Sequence, residues 1–157
     1  MEHHFRAHAV WSGASAGPVT DYRSYSREFT FAVQGKAAIT GSAAGPFLGD
    51  ESLINPEELL LMAVSSCHML SYLAICARRG ISVIAYEDEC TATMAMKDGK
   101  MRITEATLRP KVTVPAGTDL EKALLFHHRA SEECFIASSV NFPISHEASF
   151  ELLTAGD

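Results

Sequence analysis

The sequence lacks a basic stripe, because its 13 Lys and Arg residues stand singly or in pairs against 19 Asp and Glu. The formal net charge is −6. Proteins that bind a phosphate backbone carry clustered cations on one face. We therefore expect no nucleic acid partner.

A secretory signal is also missing, since the first residues, MEHHFRAHAVW, contain no apolar h-region. We therefore expect a cytoplasmic protein, in which the four cysteines do not build a disulfide framework. Zinc ligands could come from His68, His127 and His128 together with Cys67 and Cys134. However, the sequence has no C-x-x-C or H-x₃-H spacing, and we expect no metal.

Charge is absent from residues 59–77, a stretch that approaches the length of a membrane span, roughly 20 residues. Ser65, Ser66, His68 and Ser71 interrupt its apolar character, and the flanking sequence is strand-like. We therefore favour a helix that is buried on all sides inside a soluble protein over a membrane span.

No linker or internal repeat divides the chain, and we interpret residues 1–157 as one domain. Alternating apolar residues predict strands in HFRAHAVW, REFTFAV and KAAIT, and in ISVIAYEDECTATMAM, MRITEATLRPKVTV and ISHEASFEL. The KDGK turn joins the fourth and fifth runs as an antiparallel hairpin. The class is α+β, because the order shows no regular βαβ repeat.

Two helices are predicted between these strands. The first is capped by Asn55, with Pro56 at its first position and Glu58 three residues after the cap. It should end at Arg78 or Arg79, before Gly80. The second starts near Thr118 or Asp119 and runs through LEKALLFHHRASEEC. An apolar stripe is expected on it, formed by Leu120, Leu124, His127, Ser131 and Cys134.

The cysteines differ in their positions. Cys67 and Cys76 lie about 13 Å apart along one helix and cannot form a disulfide with each other. Cys76, and Cys90 within a predicted strand, are most simply inert core residues. Cys67 and Cys134 are the two that could meet. The spacing alone leaves open whether they form a functional pair or are two unrelated buried cysteines.

A resemblance bears on this choice. The segments NPEELLLMAVSSCHML and ECFIASSVNFPI, with SYSREF, GPFLGD and LRPKV in the same order, resemble the OsmC/Ohr family of thiol-dependent hydroperoxide reductases, in its OsmC-like branch. The resemblance implies antiparallel sheets packed around a long buried central helix in an intertwined homodimer, without metal or haem. It also implies organic hydroperoxide substrates, a role in oxidative stress defence, and re-reduction by an external dithiol, which lipoylated proteins supply in the Ohr branch.

By this resemblance, Cys67 is the peroxidatic cysteine, Cys134 is the resolving cysteine and Glu57 is an acidic partner. The arginine is Arg27 in YSRE, with Arg23 as the alternative. One position departs from the Ohr branch, which usually has an apolar residue after the first cysteine, where this chain has His68. A second function class remains open, a redox-sensing or small-molecule-binding protein of the same fold without turnover.

Helix geometry adds a prediction about assembly. Glu57 and Cys67 are about 15 Å apart along a straight helix, on faces about 80° apart, so they cannot hold one arginine within an unbroken helix. Two antiparallel copies of the helix would bring Glu57 of one chain beside Cys67 of the other. We therefore expect an obligate homodimer with Glu57, and with it Arg27, supplied across the interface.

Overall fold

The structure, a computed structural model, describes residues 2–153 as an α+β chain of two α-helices and nine strands. The helices are α1 (Pro56–Arg79) and α2 (Leu120–Glu133). The strands are β1 (His8–Trp11), β2 (Phe29–Ala32), β3 (Ile39–Gly41), β4 (Ala85–Asp88), β5 (Thr91–Lys97), β6 (Lys100–Leu108), β7 (Pro110–Pro115), β8 (Ile144–His146) and β9 (Ser149–Leu153). The chain forms two compact units, and the boundary lies between Leu60 and Leu61.

In the first unit, β1, β2 and β3 form an antiparallel sheet, with Ala9 opposite Phe31 and Thr30 opposite Thr40. The strands are shorter than the apolar alternation predicts. Phe5, which belongs to the first predicted strand, lies outside β1 and is 94% exposed. The alternation therefore marks the strands but overstates their length.

Helix α1 begins and ends at the residues that the sequence indicates. The main-chain N–H of Glu58 donates to Asn55 Oδ1 at 2.9 Å, and that of Asn55 donates to the Glu58 carboxylate at 3.0 Å. This reciprocal pair is a capping box. At the other end Gly80 adopts a φ of 77°, in the left-handed region that stops a helix.

We expected a helix buried on all sides, and within one chain this expectation is wrong for α1. Met62 and Leu70 are 54% and 63% exposed, and 28% of the most apolar 18-residue window is buried. The helix is long and apolar enough to cross a membrane by length and composition, a test that core helices also pass. An apolar face of α1 is thus left uncovered by the residues that the structure describes.

The second unit contains two three-stranded sheets, in the orders β4-β7-β9 and β5-β6-β8. The turn between β5 and β6 has positive φ at both Asp98 and Gly99, as a type I′ hairpin requires. The pairs β4/β7 and β5/β6 are antiparallel, as predicted. However, β8 pairs with β6, and β9 with β7, in parallel.

Each of the three long strand runs predicted after α1 is split between these two sheets. The interruption between β6 and β7, just before Pro110, lies opposite the interruption between β4 and β5. Pro110 has no N–H to donate to a neighbouring strand. Arg109 donates to Thr91 Oγ1 at 3.0 Å and to Glu147 at 3.1 Å, which links all three breaks. Cys90 consequently lies between β4 and β5, whereas we had expected it inside a strand.

The core of the second unit lies between α1, α2 and the β4-β7-β9 sheet. Helix α2 starts after Asp119, which accepts a hydrogen bond from the Lys122 N–H at 3.0 Å. Its buried face consists of Ala123, Phe126, His127 and Ala130, whereas the expected stripe residues Leu120 and Leu124 are partly exposed. The predicted stripe is therefore rotated, although it locates His127 correctly. The remaining members of the core are Tyr72, Ile75, Cys76, Ile81, Val112 and Val114.

Candidate active site

Cys67 lies in the middle of α1, beside the face that packs into the second unit. That face carries Val64, His68 and Tyr72 at helical spacing, and each of them is buried. Cys67 is one position away from His68 and is partly buried. Its thiol forms no disulfide, and the residue lies at the edge of the core.

Cys134 caps the C-terminus of α2 and is completely buried. Its Sγ accepts a hydrogen bond from the Ala137 N–H at 3.4 Å. Burial, and after it the interaction with the Cys67 thiol, raise the pKa of the Cys134 thiol to about 11. The structure thus brings the two cysteines that the sequence singled out close enough for Cys67 to raise the pKa of Cys134.

The other two cysteines have no such partner thiol among the residues described. Cys76 is buried in the core beside Tyr72, and burial raises its pKa. Burial also raises the pKa of Cys90, which lies between β4 and β5. Both environments disfavour the thiolate, which is the reactive form.

A cavity of about 150 Å³ adjoins the buried cysteine. Its lining is mostly apolar, and the polar groups are His68, Ser131 and Cys134. The apolar lining residues are Val64, Leu108, Ala137, Phe142 and Ile144. A small apolar cavity with a few polar groups beside a thiol can bind the alkyl part of a small molecule.

A group of histidines, His68, His127, His128 and His146, extends from this cavity, and sequence reasoning did not assign it a role. His68 and His127 are 2% and 0% exposed, and their rings are linked by an Nε2···Nδ1 hydrogen bond of 3.0 Å. The ring centroid of His146 lies 5.6 Å from that of His68 and 4.8 Å from that of His128. The sequence signal that could have pointed to this group is the position of His68, four residues after Val64 on an apolar face of the helix.

The buried histidines are neutral near pH 7. Burial lowers the pKa of His68 to about 4, with a smaller lowering by His146 and an opposing effect of Asp88. Burial, and then the neighbouring histidines, lower the pKa of His127 to about 3. Within residues 2–153, no three His, Cys, Asp or Glu side chains are placed to hold one metal ion.

Arg27 and Glu57 lie in the first unit. Arg27 donates to the main-chain oxygens of Tyr22 and Tyr25, and its guanidinium lies 4.0 Å from the Tyr25 ring centroid. Glu57 is partly buried, and its Oε2 has no hydrogen-bond partner among the residues that the structure describes. The alternative arginine, Arg23, is exposed. Arg27 is therefore oriented by its own loop, whereas Glu57 carries an unpaired buried oxygen.

Comparison with known proteins gives a family match and many similar structures. Residues 49–149 match the family model described as OsmC-like protein. An OsmC-like protein of unknown function from Vibrio cholerae is 33% identical, with a TM-score of 0.85 over 94% of this chain and 100% of that chain. No significant match was found among curated proteins.

More distant structures share the fold. An organic hydroperoxide resistance protein from Elizabethkingia anophelis is 14% identical, with a TM-score of 0.68 over 98% of this chain and 100% of its own. One from Legionella pneumophila is 13% identical, with a TM-score of 0.67 over 95% and 97% of the two chains. The family match over most of the chain, together with the identity to the Vibrio cholerae protein, shows that this chain belongs to the OsmC-like family.

Proposed function

We propose that this protein is a cysteine-based peroxidase that reduces organic hydroperoxides, with defence against oxidative stress in the cytoplasm as its role. The observation that carries the proposal is the pair of free thiols on α1 and at the end of α2, where Cys67 is close enough to raise the pKa of Cys134 and Cys134 lines an apolar cavity. The structural relatives named as hydroperoxide resistance proteins support it through the shared fold.

In the first step the Cys67 thiolate attacks an oxygen of the hydroperoxide. The O–O bond breaks, the alkoxide leaves and takes up a proton as the alcohol, and Cys67 becomes a sulfenic acid. In the second step Cys134 attacks that sulfur, forming a Cys67–Cys134 disulfide and releasing water. An external dithiol, such as a lipoylated protein, then reduces the disulfide by thiol exchange.

The first step requires a thiolate, and a cation near Cys67 favours that form. Cys67 is in the middle of α1, far from the helix N-terminus, so the helix dipole gives little help. We propose that Arg27 of a second copy supplies the cation and that Glu57 of the same copy holds it. An arginine stays charged and can donate to both a thiolate and a peroxide oxygen.

Three features support a homodimer with shared sites. Helix α1 is continuous from Pro56 to Arg79, which keeps Glu57 and Cys67 of one chain about 15 Å apart along the axis. The same helix exposes apolar residues such as Met62 and Leu70, which a second copy of α1 would cover. The unpaired Glu57 Oε2 would gain a partner in the same assembly.

Turnover of cumene hydroperoxide with a dithiol tests the proposal. The wild-type protein should consume hydroperoxide catalytically, Cys67→Ser should abolish this activity, and Cys90→Ser, at a cysteine outside the site, should retain it. After one equivalent of hydroperoxide, mass spectrometry should find a Cys67–Cys134 disulfide. If the wild type consumes hydroperoxide no faster than free thiol, the protein is a redox sensor or binding protein and the enzyme proposal fails.

A further inference from the structure

Arg27, the cation of the proposed reaction, is held by uncharged groups. Its Nη1 donates to the main-chain oxygen of Tyr25 at 2.7 Å, and its Nη2 donates to that of Tyr22. No carboxylate forms an ion pair with Arg27 among residues 2–153. The first unit therefore fixes a positive charge in place without cancelling it.

Two aromatic faces add to this hold. The Cζ of Arg27 lies 4.0 Å from the ring centroid of Tyr25 and 5.0 Å from that of Tyr22. Both distances are inside the roughly 6 Å within which the negative face of a ring attracts a cation. Each tyrosine thus contributes a main-chain acceptor and a ring, and together they restrict a side chain that otherwise has many rotamers.

Trp11, the last residue of β1, anchors the segment that carries Tyr25 and Arg27. Its indole N–H donates to the main-chain oxygen of Ser26 at 2.7 Å. Its ring packs edge-on against Tyr25, with the centroids 6.4 Å apart and the planes at 77°. Gly13 permits this approach, because a Cβ there would lie 2.5 Å from Trp11 Nε1 and 2.6 Å from the Ser26 oxygen. The segment is therefore attached to β1 through a side chain.

We propose that Arg27 is held by a clamp of three positioning residues, Trp11, Tyr22 and Tyr25. The clamp keeps the guanidinium in one orientation, from which it stabilises the thiolate of Cys67 in a second copy of the chain. This inference rests on the proposed function, which makes Arg27 the cation but gives no role to the three aromatic residues around it.

The clamp leaves part of the guanidinium available for that role. Of its five N–H groups, the two main-chain oxygens take one on each Nη. The Nε–H and the second N–H of each Nη remain, and they can donate to Glu57 and to a thiolate. Because carbonyl oxygens and aromatic rings carry no net charge, they orient Arg27 and leave its full charge to favour a thiolate.

Alkylation by iodoacetamide, followed by mass spectrometry of the peptide that contains Cys67, measures this effect without hydroperoxide. Iodoacetamide reacts with the thiolate, so its rate follows the thiolate fraction. At pH 6.5, Arg27→Gln should slow the alkylation of Cys67 roughly tenfold. The loss should shrink as the pH rises toward 9, where hydroxide removes the proton without help from a cation.

The clamp residues should give the same pH-dependent loss. Replacing Tyr22 and Tyr25 together by Leu should slow alkylation at pH 6.5 by roughly three- to tenfold, because both ring faces are lost. Replacing both by Phe keeps the rings and the main-chain oxygens and should restore the rate to within about twofold of wild type. Trp11→Phe, which loses the indole donor, should slow alkylation about two- to threefold. Phe5→Leu, at an exposed ring of the same unit, is the matched control.

NMR of the wild-type protein tests the clamp without depending on a variant that folds. The Nε–H signal of Arg27, identified by its absence in Arg27→Lys, should lie upfield of that of the exposed Arg6, because two rings lie beside the guanidinium. The upfield shift should decrease in Tyr22→Leu, a change at a side chain that is 62% exposed.

Several results would overturn the clamp. They are a wild-type Arg27 signal at the position of an exposed arginine, and wild-type alkylation of Cys67 in Arg27→Gln or in the variant with Leu at both tyrosines. An equal slowing at pH 6.5 and pH 9 would also overturn it, since that indicates lost access and not a lost thiolate. If hydroperoxide is reduced but the tyrosines have no effect, only the clamp fails. If alkylation depends on the clamp but hydroperoxide is not consumed, the clamp stands and the peroxidase proposal fails.

Discussion

The buried histidine pair makes the second unit sensitive to acid, and the size of the effect follows from the structure. In an unfolded chain His68 and His127 titrate near pH 6.5. In the folded protein burial lowers their pKa values to about 4 and about 3. The unfolded state therefore binds more protons below pH 6.5, and the free energy of unfolding falls as the pH falls from 6.5 toward 4.

Each of the two histidines should cost at most about 1.4 kcal/mol of stability per pH unit in this range, or about 2 kcal/mol at pH 5 relative to pH 8. Together they reach about 4 kcal/mol, a large part of the 5 to 15 kcal/mol that is usual for a domain. Ordinary carboxylates titrate below the range from pH 5 to 7.5. In this range the slope of the free energy of unfolding against pH therefore reports mainly on histidine.

Urea denaturation at fixed protein concentration measures this slope, and the concentration must be fixed because a dimer's stability depends on it. Replacing His127 by Phe keeps a ring to stack on Tyr72 and should roughly halve the slope between pH 6 and 5. His8→Gln, at an exposed histidine of β1, is the control. A wild-type slope below about 0.5 kcal/mol per pH unit, or an unchanged slope in His127→Phe, would refute the assigned pKa values.

Two further predictions concern the assembly and the start of α1. Mixing Cys67→Ser and Glu57→Ala chains, each inactive alone, should restore some hydroperoxide reduction in the heterodimer, because one of its two sites then has an intact cysteine pair and an intact Glu57. No recovery after verified subunit exchange, or a fully active monomer, would contradict the shared site. Asn55→Ala removes the capping box and should lower the free energy of unfolding by about 1 kcal/mol in urea titrations. Asn55→Asp, which keeps an acceptor, should lose much less, and equal losses would show that the cap is not responsible.

The helices could be predicted from the sequence because their ends depend on local chemistry. Asn55 accepts the N–H of Glu58 and Pro56 has no N–H to satisfy, whatever lies around them, and Gly80 ends α1 through a backbone preference. The hairpin at Asp98 and Gly99 is local in the same way. Such signals act over a few residues and do not depend on the rest of the fold.

The histidine group could not be predicted, since it depends on contacts between distant segments. His68, His127 and His146 come from α1, α2 and β8, and nothing in their spacing along the chain shows that their rings meet. The rotation of the α2 stripe has a similar origin. Leu120 and Leu124 are apolar, but the face of α2 that is buried carries the small residues Ala123 and Ala130.

The split of the long strands had a visible signal in Pro110, and it also affects the site. At the break Asp88 accepts hydrogen bonds from the Arg109 N–H, at 2.6 Å, and from the hydroxyl of Ser65. Ser65 lies two residues before Cys67 on α1, so the break in the strands is tied directly to the helix turn that carries Cys67. Asp88 is also the acid that favours a charged His68. In a continuous strand through this point, the Arg109 N–H would donate to a neighbouring strand. Asp88 would then lose one of its two hydrogen bonds and keep only the one from Ser65.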